Sequence, residues 1–487
     1  MGITMLVQLY TSRIVLNSLG VNDYGIYNVV GSVIVAFSFI SGPLGTATQR
    51  FYNFELGKNN KQGVNSIFNH SVLIYLILSL ILFVVIEVAG IWFINNKMQL
   101  PASRLDAAMW AFHLSVLGFV FSLIKIPFES LIVAHEKMDF YAYVSIADVL
   151  LKLLNAFSLL YITIDKLKLY SVNQLVIAIV ILCCVIAFCK RQFNYIHINR
   201  TYNKVIFKQL LNFSGWSLFG SVASMTANQG LNILLNAFFG VAINAAMGIA
   251  TQINAAINQF VTNFQIAFRP QIIKSYAANE IEMLHKLIFN TSKYSYLLLL
   301  GLVCPIIMNI EFILRIWLKN VPAYTSEFAI FMLVYALLET LSAPMWMTVQ
   351  ATGKIRNYQL VISSLISMNI FVSYIFLKIG YPPSTVLVTK CFMDMLYLVT
   401  RLYFMRNLIQ FSIMQYTKEV LSRIGVITVV CVFVILTLNR SMPKELTRLF
   451  LGTSVFMLFY CGSVYYIALK KNERQKIIKF ISQKINK

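Results

Sequence analysis

Charged side chains occur inside the apolar segments of this chain, and several are spaced four residues apart. The pairs are Lys125/Glu129, Asp148/Lys152, Lys390/Asp394 and Glu311/Arg315. Residues four apart share one face of a helix, so each pair can partly neutralise itself. Ionisable groups within a membrane are costly and often mark gates or relays. The pairs therefore predict either inert stabilising contacts or a gate or proton-linked switch.

Arg13, Lys293 and Glu339 stand apart from these four pairs. An arginine directed inward would present a fixed cation, and its planar donor fork matches a phosphate group. We therefore expect Arg13 and Lys293, if they are directed inward, to bind an anionic group, although Arg13 could instead extend to the membrane surface. Glu339 is expected to act in gating or ion coupling.

Small polar side chains form stripes along otherwise apolar segments. The residues at helical spacing are Gln8, Thr11, Ser12, Asn28 and Ser32 in the first two segments, Ser217, Ser221, Ser224 and Asn228 in the seventh, and Asn254, Asn258, Thr262 and Gln265 in the eighth. Such stripes line water-filled cavities or join packed helices by hydrogen bonds. Because the four segments occupy equivalent places in a repeat, a cavity lining is the favoured interpretation. It makes Asn28, Asn228, Asn254 and Asn258 candidate substrate-binding residues.

No arrangement for covalent catalysis is found in the sequence. The five histidines are scattered, and the seven cysteines fit no zinc or paired disulfide pattern. We find no phosphate-binding Walker A motif. The prediction is a protein that is not an enzyme, without catalytic residues, a metal site or a cofactor, although coupling to a proton or sodium gradient would fit.

The composition indicates which elements position these residues. Hydrophobic residues make up 59% of the chain and charged residues 12%, with a mean hydropathy of +0.73. Apolar stretches of about 20 residues can cross a bilayer core as helices. The sequence predicts an all-α polytopic membrane protein with about 14 spans: 3–19, 24–48, 71–94, 107–133, 141–164, 169–189, 213–238, 242–268, 293–313, 325–351, 357–378, 383–405, 418–438 and 446–469.

The distribution of basic residues predicts the topology. The net charge is +22. Alternate connections and the carboxyl-terminal tail carry about two dozen Lys and Arg, whereas the other connections carry about ten. The positive-inside rule then places both termini in the cytoplasm. The basicity is explained by topology and anionic lipids, so nucleic acid is not an expected partner.

A repeat divides the chain into two similar halves. IFNHSVLIYLIL at 67–78 and IFNTSKYSYLLL at 288–299 are identical at seven of twelve positions. The offset between the two stretches covers six predicted spans, an even number, so the repeats should be parallel. The predicted organisation is an N-terminal lobe (1–190, spans 1–6), a cytoplasmic amphipathic linker (191–212), a C-terminal lobe (213–405, spans 7–12), and two further spans with a basic tail (406–487).

Three motifs resemble those of a known family. LGVNDYGIYN at 19–28, preceded by LYTSRIVLN, and TATQRFYNFELG at 46–57 look like the opening of Wzx-type O-antigen or polysaccharide flippases. ATGKIRNY at 351–358 is similar to the family's connection after span ten. These flippases belong to the multidrug/oligosaccharidyl-lipid/polysaccharide exporter superfamily. The first span is shorter than the resemblance implies, as expected if the chain starts late.

The resemblance implies two six-helix lobes in a V around a central cavity lined by spans 1, 2, 7 and 8. The cavities of this family are often cationic, so the resemblance makes Arg13, Arg269 and Lys293, of which Arg269 closes the eighth span, the expected substrate-binding cations. It implies alternating access that moves a polyprenyl-diphosphate-linked oligosaccharide, an O-antigen or capsular unit, to the periplasmic leaflet of the bacterial inner membrane. Expected partners are that saccharide, membrane lipids, and polysaccharide polymerase and chain-length regulator proteins. The alternatives are a drug/cation antiporter of the same superfamily, a lipid II flippase, and a saccharide polymerase or acyltransferase.

Overall fold

All regular structure in the described part of the chain is helical. The computed structural model describes residues 2–97, 102–161, 165–197, 203–318, 321–442, 445–469 and 473–475. The helices are α1 (Gly2–Ser38), α2 (Ser41–Gly57), α3 (Lys61–Lys97), α4 (Leu105–Ala134), α5 (Met138–Tyr161), α6 (Lys166–Gln192), α7 (Lys204–Phe239), α8 (Val241–Ala277), α9 (Ile281–Met308), α10 (Ile310–Leu318), α11 (Thr325–Thr352), α12 (Arg356–Ile379), α13 (Thr385–Ile409), α14 (Ile413–Ser441) and α15 (Glu445–Ala468).

The helices coincide with the predicted membrane spans. Within the described residues, nine are long and apolar enough to cross a membrane: α3, α4, α5, α6, α9, α11, α12, α14 and α15. The other predicted spans fall on α1, α2, α7, α8 and α13. These are the segments with polar stripes or several charges, which lower their hydropathy. The predicted all-helical, multi-pass membrane architecture is confirmed.

The chain divides into two compact units, unit 1 (Met1–Val222) and unit 2 (Ala223–Lys487). The core of unit 1 includes Val30, Ile86, Phe112 and Leu123. The core of unit 2 is built in the same way around residues such as Leu235, Ala246, Leu314, Phe328 and Val386. Helix α7 begins at Lys204, within the predicted linker 191–212, and continues into unit 2. Most of the predicted basic tail lies outside the described residues.

The backbone repeats with nearly the same offset as the sequence. Helices α3, α4, α5 and α6 begin at positions 61, 105, 138 and 166, and α9, α11, α12 and α13 begin at 281, 325, 356 and 385. Prolines lie inside α4 and α11, at Pro127 and Pro344. Left-handed backbone before α3, at Asn59, recurs before α9, at Asn279. The second half of the architecture therefore reproduces the first at the level of helix ends and turns.

One glycine separates the first two predicted spans in each half of the repeat. Gly20 has φ 77° and ψ 167°, and Gly240 has φ 79° and ψ −172°. This region of backbone space is open almost only to glycine, since a Cβ atom would clash there. Each unit thus needs glycine at the same place for the chain to turn between spans.

The prediction of a single second span at 24–48 is wrong in its boundaries. The helix that follows Gly20 is interrupted at Phe39 and Ile40 and resumes as α2, which runs to Gly57. The counterpart in unit 2 is the uninterrupted helix α8. The apolar pattern alone cannot detect this break, because both residues at the interruption are themselves hydrophobic.

Gly240→Ala is expected to destabilise the chain by about 1–3 kcal/mol, since alanine is strained in this conformation. Gly248→Ala, on the same helix α8, is the matched control. An added Cβ meets nothing within 4 Å at either glycine, and only Gly240 has positive φ. Thermal unfolding in detergent should show a lower Tm for Gly240→Ala and an unchanged or higher Tm for Gly248→Ala. Equal shifts would contradict the backbone argument.

Candidate functional site

Four charged side chains from two helices of unit 2 line one pocket. Glu339 comes from α11, and Lys390, Asp394 and Arg401 come from α13. The cavity has a volume of about 120 Å³, and its other polar walls include Asn228, Tyr335, Asn369 and Tyr397. We call it the unit 2 charged pocket. Glu339 and Asp394 lie roughly two turns or more from the ends of their helices, well inside the predicted spans.

The two cations of this pocket are held by polar and aromatic groups. The Lys390 Nζ donates to Asn228 Oδ1 over 3.1 Å and lies 4.3 Å from the centre of the Tyr335 ring. The Arg401 Nε donates to the Tyr358 hydroxyl over 2.9 Å. The predicted self-contained pair of Lys390 with Asp394 is therefore replaced by contacts between helices. Packing brings Asn228 of α7 to the lysine, which spacing along α13 could not indicate.

The two acids of the pocket differ in exposure. Asp394 is 2% exposed, and its Oδ2 has no hydrogen-bond partner within the described chain. Glu339 is exposed and lines the same cavity. A buried carboxylate oxygen without a donor is costly, so such a position favours a bound proton, cation or water. The arrangement can therefore bind and release a small positive charge within a span.

Unit 1 contains a larger polar pocket at the corresponding place. Its volume is about 350 Å³, and Lys125, Asp148, Lys152 and Gln174 are among its polar walls. Both predicted pairs form here: Lys125 lies 2.9 Å from Glu129, and Lys152 lies 2.7 Å from Asp148. We call it the unit 1 pocket. The three charged side chains that line it are partly exposed, so water in the cavity can reach them.

Three walls of each pocket come from equivalent helices, α4, α5 and α6 in unit 1 and α11, α12 and α13 in unit 2. The fourth wall differs, because the segment of α1 after Gly20 lines the unit 1 pocket, whereas α7, the counterpart of the segment before Gly20, lines the unit 2 charged pocket. Ser122 and Lys152 line the unit 1 pocket, whereas Glu339 and Asn369 line the unit 2 charged pocket at the equivalent positions of the repeat. The duplicated scaffold thus supplies two similar cavities. Divergence at the lining positions gives each cavity its own charges.

The three predicted substrate-binding cations occupy different surroundings. Arg13 is exposed on α1. Arg269 is 8% exposed and lies 5.0 Å from the centre of the Trp346 ring. Lys293 is 3% exposed and donates to the carbonyl of Ala468 over 3.2 Å. Of the three, Arg13 alone presents its side chain openly in this conformation.

Lys293 belongs to a series of contacts between α9–α10 and the last two helices. Its Nζ lies 3.7 Å from Glu473, and the Tyr294 hydroxyl donates to the same carboxylate over 2.7 Å. Further along, the Tyr296 hydroxyl lies 2.9 Å from the Thr428 hydroxyl. These contacts fasten α14 and α15 to α9 within unit 2.

The predicted pair of Arg315 with Glu311 is also replaced. Arg315 instead lies 2.9 Å from Glu445, at the start of α15. The i,i+4 spacing allowed the local pair, but the short helix α10 ends beside α15 and offers a partner there. This ion pair extends the attachment of the last two helices.

The asparagines of the polar stripes bond mainly within or near their own helices. Asn28 donates to the carbonyl of Tyr24 over 2.9 Å, and Asn228 donates to that of Ser224 over 3.0 Å. Asn258 lies 3.3 Å from Asn254 on α8. Asn228 has the additional bond from Lys390. Among the four, Asn228 is the one that the structure brings to a charged group.

Arg401 is the main residue that sequence reasoning missed. It lies seven residues after Asp394 and eleven after Lys390, so all three share one face of α13. The spacing of seven residues from Asp394, which also keeps two side chains on one helix face, is the signal that indicates Arg401. A second missed group joins α3 and α4, where His113 Nδ1 lies 2.7 Å from Glu87. The wide separation of those two residues in sequence left no signal.

Solved structures with this fold are known. A point mutant of a MATE transporter is 15% identical, with a TM-score of 0.73 over 84% of this chain and 93% of its own. An outward-facing multidrug resistance MATE transporter of the MOP superfamily is 16% identical, with a TM-score of 0.72 over 84% and 93%. The MOP superfamily is the exporter superfamily named above. The described chain therefore has the fold of MATE transporters.

A third similar structure is a MOP superfamily transporter from Pyrococcus furiosus, for which the reverse polarity of the binding pocket suggests a different function. It is 17% identical, with a TM-score of 0.70 over 84% of this chain and 93% of its own. The sequence matches no protein-family model and no curated protein.

Arg401→Gln is expected to destabilise unit 2, because it leaves the two pocket acids with one cation fewer. Adding Asp394→Asn to Arg401→Gln should restore part of the lost stability by removing the excess charge. The interaction free energy between the two substitutions should be on the order of 1–3 kcal/mol. Thermal unfolding of the wild type, the two single variants and the double variant gives this interaction free energy. Simple additivity would show that the two residues do not interact.

Proposed function

We propose that this chain is a membrane transporter that works by alternating access and exchanges its cargo for a cation. The carrying observation is the unit 2 charged pocket, whose two carboxylates lie within predicted spans. Ionisable groups at such a depth usually serve ion pathways or coupling. The MATE-like fold supports the same class of function.

The chemistry of coupling would centre on Asp394 and Glu339. Asp394 has the oxygen without a hydrogen-bond donor, while Glu339 is exposed to the cavity. A proton or sodium ion bound at these carboxylates would change the net charge of the pocket by one. Lys390 and Arg401, which line the same cavity, would respond to that change. Their bonds to Asn228 and Tyr358 reach two further helices, so a charge change in the pocket acts on α7 and α12.

The cargo in this proposal is an amphiphilic organic cation, carried outward while the coupling ion moves inward. Exchange follows if cargo and ion favour opposite conformations of the transporter. The similarity to a structure described as a multidrug resistance transporter supports this choice.

Glu339→Gln and Asp394→Asn are expected to abolish gradient-driven transport. The full chain is reconstituted in liposomes, and uptake of ethidium is followed by fluorescence under an imposed proton gradient or sodium gradient. The wild type should take up ethidium faster with one of the two gradients. It should accumulate ethidium up to about tenfold for each tenfold ratio of the coupling ion, because that ratio supplies about 1.4 kcal/mol to a one-for-one exchange. Each variant should lose that acceleration, since the neutral side chain cannot exchange the charge.

The matched control is Glu327→Gln, which neutralises an exposed glutamate in the first turn of the same helix α11. The Glu327→Gln variant should keep the acceleration of ethidium uptake by the gradient. Full gradient response in both pocket variants would refute coupling at this site.

A second candidate is the flippase function, supported by different observations. The motifs at 19–28 and 46–57 resemble those of Wzx-type flippases. Arg13 is exposed on α1, and two lysines line the unit 1 pocket. Positive groups of this kind suit a diphosphate head group. The reverse pocket polarity of the Pyrococcus furiosus transporter is consistent with a division of this fold between cationic and other cargo.

The flippase candidate predicts that Arg13→Gln lowers the rate of flipping at least about fivefold, because the loss of one charged hydrogen bond costs roughly 1–3 kcal/mol. The probe is a fluorescent polyprenyl-diphosphate disaccharide in liposomes, with external dithionite bleaching the outer leaflet. Arg269→Gln and Lys293→Gln remove the other two predicted cations. Arg440→Gln, an exposed position near the end of α14, is the control. Flipping unaffected by all three substitutions would refute the cationic site, and flipping without ethidium transport would favour this candidate over the antiporter.

A further inference from the structure

One arginine joins two carboxylates near the turn at Gly20. The Arg104 Nε donates to Asp23 Oδ1 over 2.8 Å, and its Nη2 bonds the other oxygen of Asp23. The Arg104 Nη1 donates to Asp165 Oδ2 over 2.7 Å, with a further bond of 3.3 Å between Nη2 and Oδ1. A planar guanidinium that binds two carboxylates in this way is geometrically specific.

The three residues belong to three different elements of unit 1. Asp23 lies three residues after Gly20, and Arg104 immediately precedes α4. Asp165 precedes α6 and accepts hydrogen bonds from the backbone N–H groups of Leu167 and Lys168. All three lie on connections that the charge pattern predicts to be external. Arg104 thus fixes the start of the second segment of α1 against the beginnings of α4 and α6.

The ion pairs are partly shielded from water. The side-chain exposures are 27% for Arg104, 18% for Asp23 and 26% for Asp165. Burial alone would raise the pKa of Asp165, but hydrogen bonds from Arg104 and from the backbone of Lys168 and Leu167 hold that pKa below its ordinary value. The Asp165 carboxylate is therefore ionised and paired with Arg104 at neutral pH.

Unit 2 has no such group at the equivalent positions. Asp23 corresponds to Ile243, three residues after Gly240. Arg104 and Asp165, which precede α4 and α6, correspond to Tyr324 and Ser384, which precede α11 and α13. The glycine turn is present in both units, whereas its ionic attachment is found at these positions in unit 1 alone. The attachment is therefore not a requirement of the fold.

We propose that Asp23, Arg104 and Asp165 form an ionic latch that sets the angle between the two segments of α1 at Gly20. Its release lets that angle change during the transport cycle. Before the turn, Ile14, Val15 and Leu19 pack on Ala156 and Leu159 of α5. After the turn, the latch holds the chain to α4 and α6. Gly20 is the point between these attachments with the widest backbone freedom.

The test uses the full chain in lipid nanodiscs and measures amide hydrogen exchange around Gly20 and around Gly240. Arg104→Gln should raise exchange at residues 18–26 at least tenfold and leave residues 238–246 unchanged. Arg104→Lys keeps the positive charge but loses the planar guanidinium that binds both carboxylates. The rise in exchange at residues 18–26 should therefore be intermediate. Asp165→Asn keeps a good helix-capping residue while removing the charge, so it separates the latch from the cap.

Lys168→Gln is the control on the same face, because it removes the neighbouring ion pair with Asp106 and the contact with the Trp110 ring and leaves Asp23, Arg104 and Asp165 in place. It should leave exchange at residues 18–26 unchanged. An equal effect of Lys168→Gln, or a uniform rise across the chain with Arg104→Gln, would overturn the latch and indicate a general loss of stability.

The role in the transport cycle rests on the proposed function and has its own readout. In the liposome assay, Arg104→Gln should change the turnover number at least threefold with an unchanged KM, since the latch does not touch cargo. Faster amide hydrogen exchange in Arg104→Gln with an unchanged turnover number would overturn the role of the latch in the transport cycle. The ionic latch itself would still be supported. Failure of the proposed function is distinguishable, because the wild type itself would then transport none of the tested cargoes.

Discussion

Ionisable side chains lie in the middle of helices whose surroundings are apolar, and each of them has to be compensated by neighbouring groups. In unit 1 the compensation is local, because Lys125/Glu129 and Asp148/Lys152 each form a pair along one helix. In unit 2 it is tertiary, because Lys390 and Arg401 bond to residues of α7 and α12. The unit 2 arrangement makes several helices sensitive to one charge, which suits coupling better than a local pair does.

The duplication supplies the scaffold on which these differences act. Glycine turns, helix ends and the proline shared by α4 and α11 recur at nearly constant offsets. The residues that line the two pockets do not recur in this way. Arg104, near the glycine turn at Gly20, has no counterpart in unit 2 either. Backbone positions such as Gly20 and Gly240 tolerate little change, because other residues are strained there. Pocket walls tolerate change, provided that new charges find partners. The two units have therefore diverged in charge while keeping one architecture.

The last two helices are attached through α9 and α10 rather than through the charged pocket. In apolar surroundings, hydrogen bonds and close packing hold helices together, since the hydrophobic effect contributes little between helices in lipid. Tyr460 packs closely against Gly301, where an added Cβ would lie 2.7 Å from its ring. Lys293, which the sequence analysis predicts to bind cargo, takes part in this attachment. The side chains that bond α14, α15 or the residues after them include Lys293, Tyr294, Tyr296 and Arg315.

The sequence by itself determined the helical membrane class, the approximate positions of the spans apart from the break in the second one, and the duplication. These follow from local properties: the length of apolar runs, the repeat of identical residues, and glycine where the backbone requires it. The i,i+4 pairs of unit 1 were also predictable, since helix geometry alone brings those residues together. Only the tertiary structure decided that Glu339, Lys390, Asp394 and Arg401 share a pocket, that Lys293 binds the end of α15, and that Arg104 joins Asp23 to Asp165. Those contacts join residues that are distant in sequence or lie on different helices, and a helical period specifies which face a residue occupies but not which helix packs against that face.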